Sequence, residues 1–136
     1  MASAHYTING EEPRIVGQKC TGFVLQHFYD GLQISDQVNV AHLKFEKQWY
    51  RLYFEFGTVF WRVSQEQLEA PVNSTLEYGL ILNDLSEMSS VAGQIIRSIN
   101  YEANEVGDVA VRLSFASGGA VKFSYSAASD STRVAA

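Results

Sequence analysis

Between Val38 and Ser64 three strand-forming segments follow one another with almost nothing between them: VNVAHLKFE (38–46), WYRLYFEF (49–56) and TVFWRVS (58–64). Gaps this short admit only tight turns, and Val, Phe, Tyr and Trp favour a pleated, half-buried surface. The stretch therefore reads as a three-stranded antiparallel meander. In its middle segment Tyr50, Leu52, Phe54 and Phe56 share one face, while Trp49, Arg51, Tyr53 and Glu55 share the other, as a period of two requires. The first face is expected in the core. In the first segment Val38 and Val40 fall on one parity and Ala41, Leu43 and Phe45 on the other, so a bulge or bend near 40–41 is needed to keep both groups inside.

Further strands are expected elsewhere. DVAVRLSFA (108–116) and GAVKFSYSA (119–127) flank Ser117, Gly118 and Gly119 as a second hairpin, with Val109, Val111, Leu113 and Phe115 facing Val121, Phe123 and Tyr125. QIIRSINYEA (94–103) and TGFVLQHFY (21–29) bring the count to at least six, with Leu52, Phe54, Val111, Leu113 and Phe123 in the core. Helix signals are short. SQEQLEAP (64–71) offers Ser64 as N-cap, Gln67 three residues on and Pro71 as a stop, and NDLSEMSSVAG (83–93) fits either a short helix closing at Gly93 or a loop. The expected class is mainly β, α+β at the margin: antiparallel hairpins and a meander forming a sandwich or a partly closed barrel, with one or two short helices.

An internal two-fold repeat is one way to organise the chain. Gly17-Gln18 and Gly93-Gln94 each stand at the head of an apolar strand leading into a hairpin, and the hairpins match Leu43 with Leu113, Phe45 with Phe115 and Tyr53 with Phe123. On that reading units 14–64 and 91–127 are joined by 65–90. The alternative is coincidence, since strand-turn-strand segments of unrelated proteins share such patterns.

With 46% hydrophobic and 18% charged residues, 136 residues describe one β-rich domain, 1–136, large enough for its own core. A single cysteine, Cys20, cannot form an internal disulfide, and the first residues lack a basic start and an apolar run, so the expectation is a cytoplasmic protein outside the membrane. Net charge −5 disfavours a general nucleic-acid binder. The acidity is regional. From 1 to 64 six carboxylates meet six cations, whereas from 65 to 108 Glu66, Glu69, Glu77, Asp84, Glu87, Glu102, Glu105 and Asp108 face Arg97 alone, giving −7.

The residue patterns that catalysis requires are missing. His5, His27 and His42 show no metal-ligand spacing, no glycine-rich phosphate loop occurs, and a lone Cys20 heading a strand reads as a buried apolar side chain. No cofactor, metal or catalytic residue is expected. The acid pair Glu66 and Glu69 reads as a solvated face, and Asn73-Ser74-Thr75 matches the glycosylation acceptor pattern without a secretion signal.

Two surfaces remain as partner sites. The eight carboxylates between Glu66 and Asp108 form one, suited to steering a cationic protein. Trp49, Arg51, Tyr53 and Trp61 form the other, because these residue types are enriched at binding hot spots. Small acidic β-rich domains without catalytic motifs are similar in class to bacterial immunity proteins, a likeness carried by no shared motif. The leading expectation is a non-enzymatic protein-binding module, an inhibitor or immunity-type protein with a cationic partner. The alternative is a small-ligand carrier whose strands enclose a cavity lined by Phe54, Tyr53 or Tyr125.

Overall fold

A computed structural model describes residues 6–30, 33–64, 78–84, 91 and 93–135, with the backbone alone at 26–30, 33–39 and 78–84. The described residues form ten strands: β1 Thr7–Asn9, β2 Cys20–Asp30, β3 Gln33–Phe45, β4 Gln48–Glu55, β5 Thr58–Ser64, β6 Tyr78–Asp84, β7 Ile96–Ala103, β8 Val109–Phe115, β9 Ala120–Ser126 and β10 Ser131–Ala135. They build two open sheets, ordered β1-β5-β4-β3-β2-β6 and β10-β9-β8-β7, so no barrel is closed. The protein is mainly β. All pairings are antiparallel except β1 with β5.

The alternation of each strand decides what lies between the sheets. Phe23, Leu25, Ala41, Leu43, Phe45, Leu52, Phe54, Val59 and Trp61 from the first sheet meet Ile96, Val109, Val111, Leu113, Phe115, Val121, Phe123 and Tyr125 from the second in one buried cluster. Phe23 and Phe123 touch edge to face, and Phe54 and Tyr125 stack with centroids 6.3 Å apart. The arrangement is a sandwich with a filled core. Leu52, Phe54, Val111, Leu113 and Phe123 all lie in it, as their parity requires.

Phe56 does not join them. β4 ends at Glu55, which pairs with Thr58, so Phe56 and Gly57 form the turn, and Phe56 is 67% exposed. The β3 irregularity lies between Asp36 and Val40, where the register against β2 shifts, just before the position the alternation marks. Asn83 and Asp84 belong to β6 rather than to a helix start. Residues 65–71 and 85–90 of the expected helices lie outside the described residues, among which there is no helix, and hence none long and apolar enough to cross a membrane.

Each sheet contains a four-stranded antiparallel meander, β2-β3-β4-β5 in one and β7-β8-β9-β10 in the other. Their entries pair with each other. Lys19 and Ile95 form an antiparallel bridge flanked by Cys20 N–H to the Gln94 carbonyl and Ile96 N–H to the Gln18 carbonyl. Gly17 N–H bonds the Ile96 carbonyl and Gly93 N–H the Cys20 carbonyl; Gln18 N–H bonds Ile15 and Gln94 N–H bonds Val91. Every bond thus has a counterpart in which Ile15, Gly17, Gln18 and Cys20 are replaced by Val91, Gly93, Gln94 and Ile96. Gly17 and Gly93 both hold positive φ, where glycine is favoured. Even the register shift recurs, at Thr21 between Cys20 and Gly22 and at Arg97 between Ile96 and Ser98.

Corresponding positions follow from the ladders. Leu43 pairs with Tyr50 and Ala41 with Leu52; Leu113 pairs with Val121 and Val111 with Phe123. Leu43 and Leu113 therefore correspond, as do Phe45 and Phe115, but Phe123 corresponds to Leu52 rather than to Tyr53. The cause is one extra turn residue, Ala116–Gly118 against Glu46–Lys47. The second meander also runs on to β10, past residue 127.

Candidate functional site

The turns at one end of the sandwich are tied together by their own backbones. Gly57 N–H donates to the Gly107 carbonyl at 2.9 Å, and Thr7 N–H donates to the Gly57 carbonyl at 2.9 Å. Asn104 organises the β7–β8 turn: its side-chain oxygen accepts from Val106 N–H and Asp108 N–H, each at 3.1 Å, and its amide donates to Asp108 Oδ2. Asp108 Oδ1 in turn accepts from Ala127 N–H at 2.9 Å, which joins the β9–β10 turn to the same cluster. These bonds hold the Asp108 carboxyl below the usual carboxylate range, the Asn104 amide contributing most.

On this pinned end Phe56 and Val106 stand 67% and 59% exposed. The Phe56 ring lies across Gly107, where a Cβ would come within 2.6 Å of it, so the glycine makes room for the aromatic. Around them stand Glu55, Glu102, Glu105, Asp108 and Asp130, and residues 53–58, 102–110 and 127–130 include no Lys or Arg. Glu102 reaches Lys122 at 3.2 Å on the neighbouring sheet face, and Asp130 accepts from the Tyr125 hydroxyl at 2.6 Å. Glu55 and Glu105 are exposed.

Of the expected acidic surface, Glu102, Glu105 and Asp108 are therefore brought together at one end. Asp84 is placed at the close of β6, opposite Val24, with its backbone alone described. Glu66, Glu69, Glu77 and Glu87 lie outside the described residues. Phe56, Val106, Glu55 and Asp130 were not legible as parts of this surface. The signal for Phe56 was Gly57 behind it, which marks the turn that carries the ring out of the ladder.

The second expected surface is corrected at one residue. Trp61 pairs with Leu52 and is 1% exposed, so it belongs to the core and not to the face of Trp49, Arg51 and Tyr53. Its indole N–H donates to the Tyr101 hydroxyl at 3.0 Å, which itself donates to Glu12 at 2.6 Å. Burial and the Glu12 carboxylate push the Tyr101 hydroxyl up, so it stays a donor. The two-residue turn at Phe56-Gly57 decides the matter, because it sets Tyr53 opposite Phe60 and Arg51 opposite Arg62.

That outer face is densely interlocked. Tyr53 and Phe60 stack at 4.8 Å and 3°, the Arg62 guanidinium lies 5.7 Å from the Phe60 ring centre, and the Lys44 ammonium lies 5.8 Å from that of Trp49. Gly22 sits beneath the Trp49 ring, where a Cβ would come within 2.7 Å. Arg62 also donates to the Asn9 carbonyl at 2.8 Å and to its side-chain oxygen, which fixes β1 to the edge.

Tyr53 thus lies on the opposite side of the sheet from Phe54 and Tyr125, and the three do not line a common cavity. Two hollows open to solvent instead, one of about 430 Å³ bordered by Glu102, Asp108, Ser124 and Arg133, and one of about 530 Å³ bordered by Glu12, Arg14, Val16 and Arg97. Among the described residues no three His, Cys, Asp or Glu side chains group as a metal site. Cys20 is buried and its thiol is pushed up to about 11 by desolvation, which keeps it protonated at neutral pH. No family model, curated protein or solved structure matches this chain.

Proposed function

We propose that the chain is a non-enzymatic protein-binding module, an inhibitor or immunity-type protein of the bacterial cytoplasm, and that it engages a cationic partner through the acidic end of the sandwich. The observation that carries this reading is the pair Phe56 and Val106, exposed at the centre of a ring of carboxylates on turns tied to one another. An apolar centre inside a polar rim is the usual anatomy of a protein interface. The carboxylates supply long-range attraction for a basic protein, and the apolar pair supplies surface that gains by leaving water. Because the turns are already fixed by Asn104, Asp108 and the Gly57–Gly107 bond, little ordering is lost on association. The cytoplasmic setting rests on the single buried thiol, which suits a reducing compartment.

The test is kinetic. A basic protein recovered from the host by pull-down is titrated against wild type, the double variant Glu55→Lys/Glu105→Lys, and Phe56→Ala. Wild-type association should slow as salt rises, the reversed variant should associate about tenfold more slowly at low salt, and Phe56→Ala should mainly speed dissociation. Association that is flat with salt and indifferent to the reversal overturns the proposal.

A further inference from the structure

The two meanders offer an internal comparison, since they place different side chains at corresponding outward positions. Arg51 corresponds to Lys122, Tyr53 to Ser124 and Trp49 to Ala120, by the pairings that align Leu52 with Phe123. Phe60, opposite Tyr53, corresponds to Arg133, opposite Ser124. The second sheet thus shows what this architecture asks of a solvated outer face: small, polar and charged residues. Large aromatics on the first sheet are not required by the fold.

We infer that the outer face of β3–β4–β5 is a second docking surface, distinct from the acidic end, and that it receives an extended acidic segment of a partner protein. Three features select that occupant. The face carries Lys44, Arg51 and Arg62, while its one carboxylate among the described residues, Glu55, stands at the end of β4. Arg51 is exposed at the centre, between His42 and Arg62 on the neighbouring strands. The third feature is ring orientation. Tyr53 and Phe60 spend a face on each other, and the cations of Arg62 and Lys44 lie over Phe60 and Trp49, so edges rather than open faces are left toward solvent. Ring edges are the positive part of the aromatic quadrupole and attract carboxylate and carbonyl oxygens. Single-stranded nucleic acid, which also seeks cations and aromatics, needs open ring faces for its bases. An acidic strand needs only the edges and the guanidinium.

The experiment uses the full chain and isothermal titration with a decapeptide alternating Glu and Val, with a Lys–Val decapeptide and a ten-nucleotide oligo-dT as comparisons. Variants are Arg51→Glu, an exposed single change, and Trp49→Ala/Tyr53→Ser, which installs the residues that the second sheet already carries at Ala120 and Ser124. The Glu–Val peptide should bind wild type alone of the three ligands, weaken with salt, and lose about tenfold or more in affinity in both variants while melting stays cooperative. Phe56→Ala should leave this binding unchanged, which separates its outcome from that of the acidic-end proposal. The inference is overturned if the Glu–Val peptide fails to bind, if both variants bind it as wild type does, or if oligo-dT binds as well as the peptide. It is also overturned if sedimentation shows wild type self-associating through this face and Arg51→Glu abolishing it, since the occupant is then a second copy.

Discussion

His42 points outward from β3 yet is only 7% exposed, enclosed beside Arg51. Burial first, and the Arg51 charge second, pull its pKa from 6.5 down to about 4. The folded protein therefore holds a neutral imidazole over an interval in which the unfolded chain is already protonated. As pH falls from 6.5 to 4 the unfolded state binds the extra proton and stability declines, by at most about 3 kcal/mol; above 6.5 both states are neutral and this residue contributes no slope. Thermal melts between pH 7 and pH 4 should show a falling Tm that His42→Gln flattens. An equal slope in that variant would place the titration elsewhere. In the sequence His42 was one isolated histidine in a strand; its burial depends on side chains of β4 that are distant from it until the sheet forms.

At the scale of the element, β4 and its turn show how far alternation reaches. Residues 48 to 55 obey a period of two, so Leu52 and Phe54 could be assigned to the core from their parity. The same parity extended to Phe56 overshoots, because periodicity does not mark where a strand stops pairing. Truncating Phe123, fully buried between the sheets, should cost about 3 to 5 kcal/mol in a denaturant titration, whereas Phe56→Ala in the exposed turn should cost less than about 1 kcal/mol. Comparable losses would mean that the Phe56 ring, seated on Gly107, is a structural anchor rather than a surface group. Trp61 illustrates the converse. As a residue type it belongs to binding surfaces, but register against Leu52 turns it inward, where Tyr101 satisfies its N–H.

For the whole molecule the decisive place is the bridge between Lys19 and Ile95, where the entries of the two meanders meet. Its flanking bonds make it a non-hydrogen-bonded antiparallel pair, the closer of the two kinds, with Cα atoms about 4.5 Å apart, inside the range a disulfide spans. Lys19→Cys/Ile95→Cys should therefore oxidise and stabilise the protein by about 2 to 4 kcal/mol against its reduced form, by closing a long loop in the unfolded chain. No gain in the denaturation midpoint would show that the two meanders already constrain each other before unfolding. The sequence by itself determined where the longer strands lie, which side chains of each hairpin share a face, and that Gly17-Gln18 and Gly93-Gln94 head similar segments. Those features are local: tight turns, a period of two and strand-forming side chains act within a few residues. Only the tertiary structure decided that the two Gly-Gln segments bond to each other, that three short turns gather Phe56, Val106 and their carboxylates, and that the aromatic face is built from Phe60 and Arg62 rather than Trp61. Each of these depends on register and on which sheet covers which, and those are set by partners from 40 to 100 residues away along the chain, beyond the range of any local pattern.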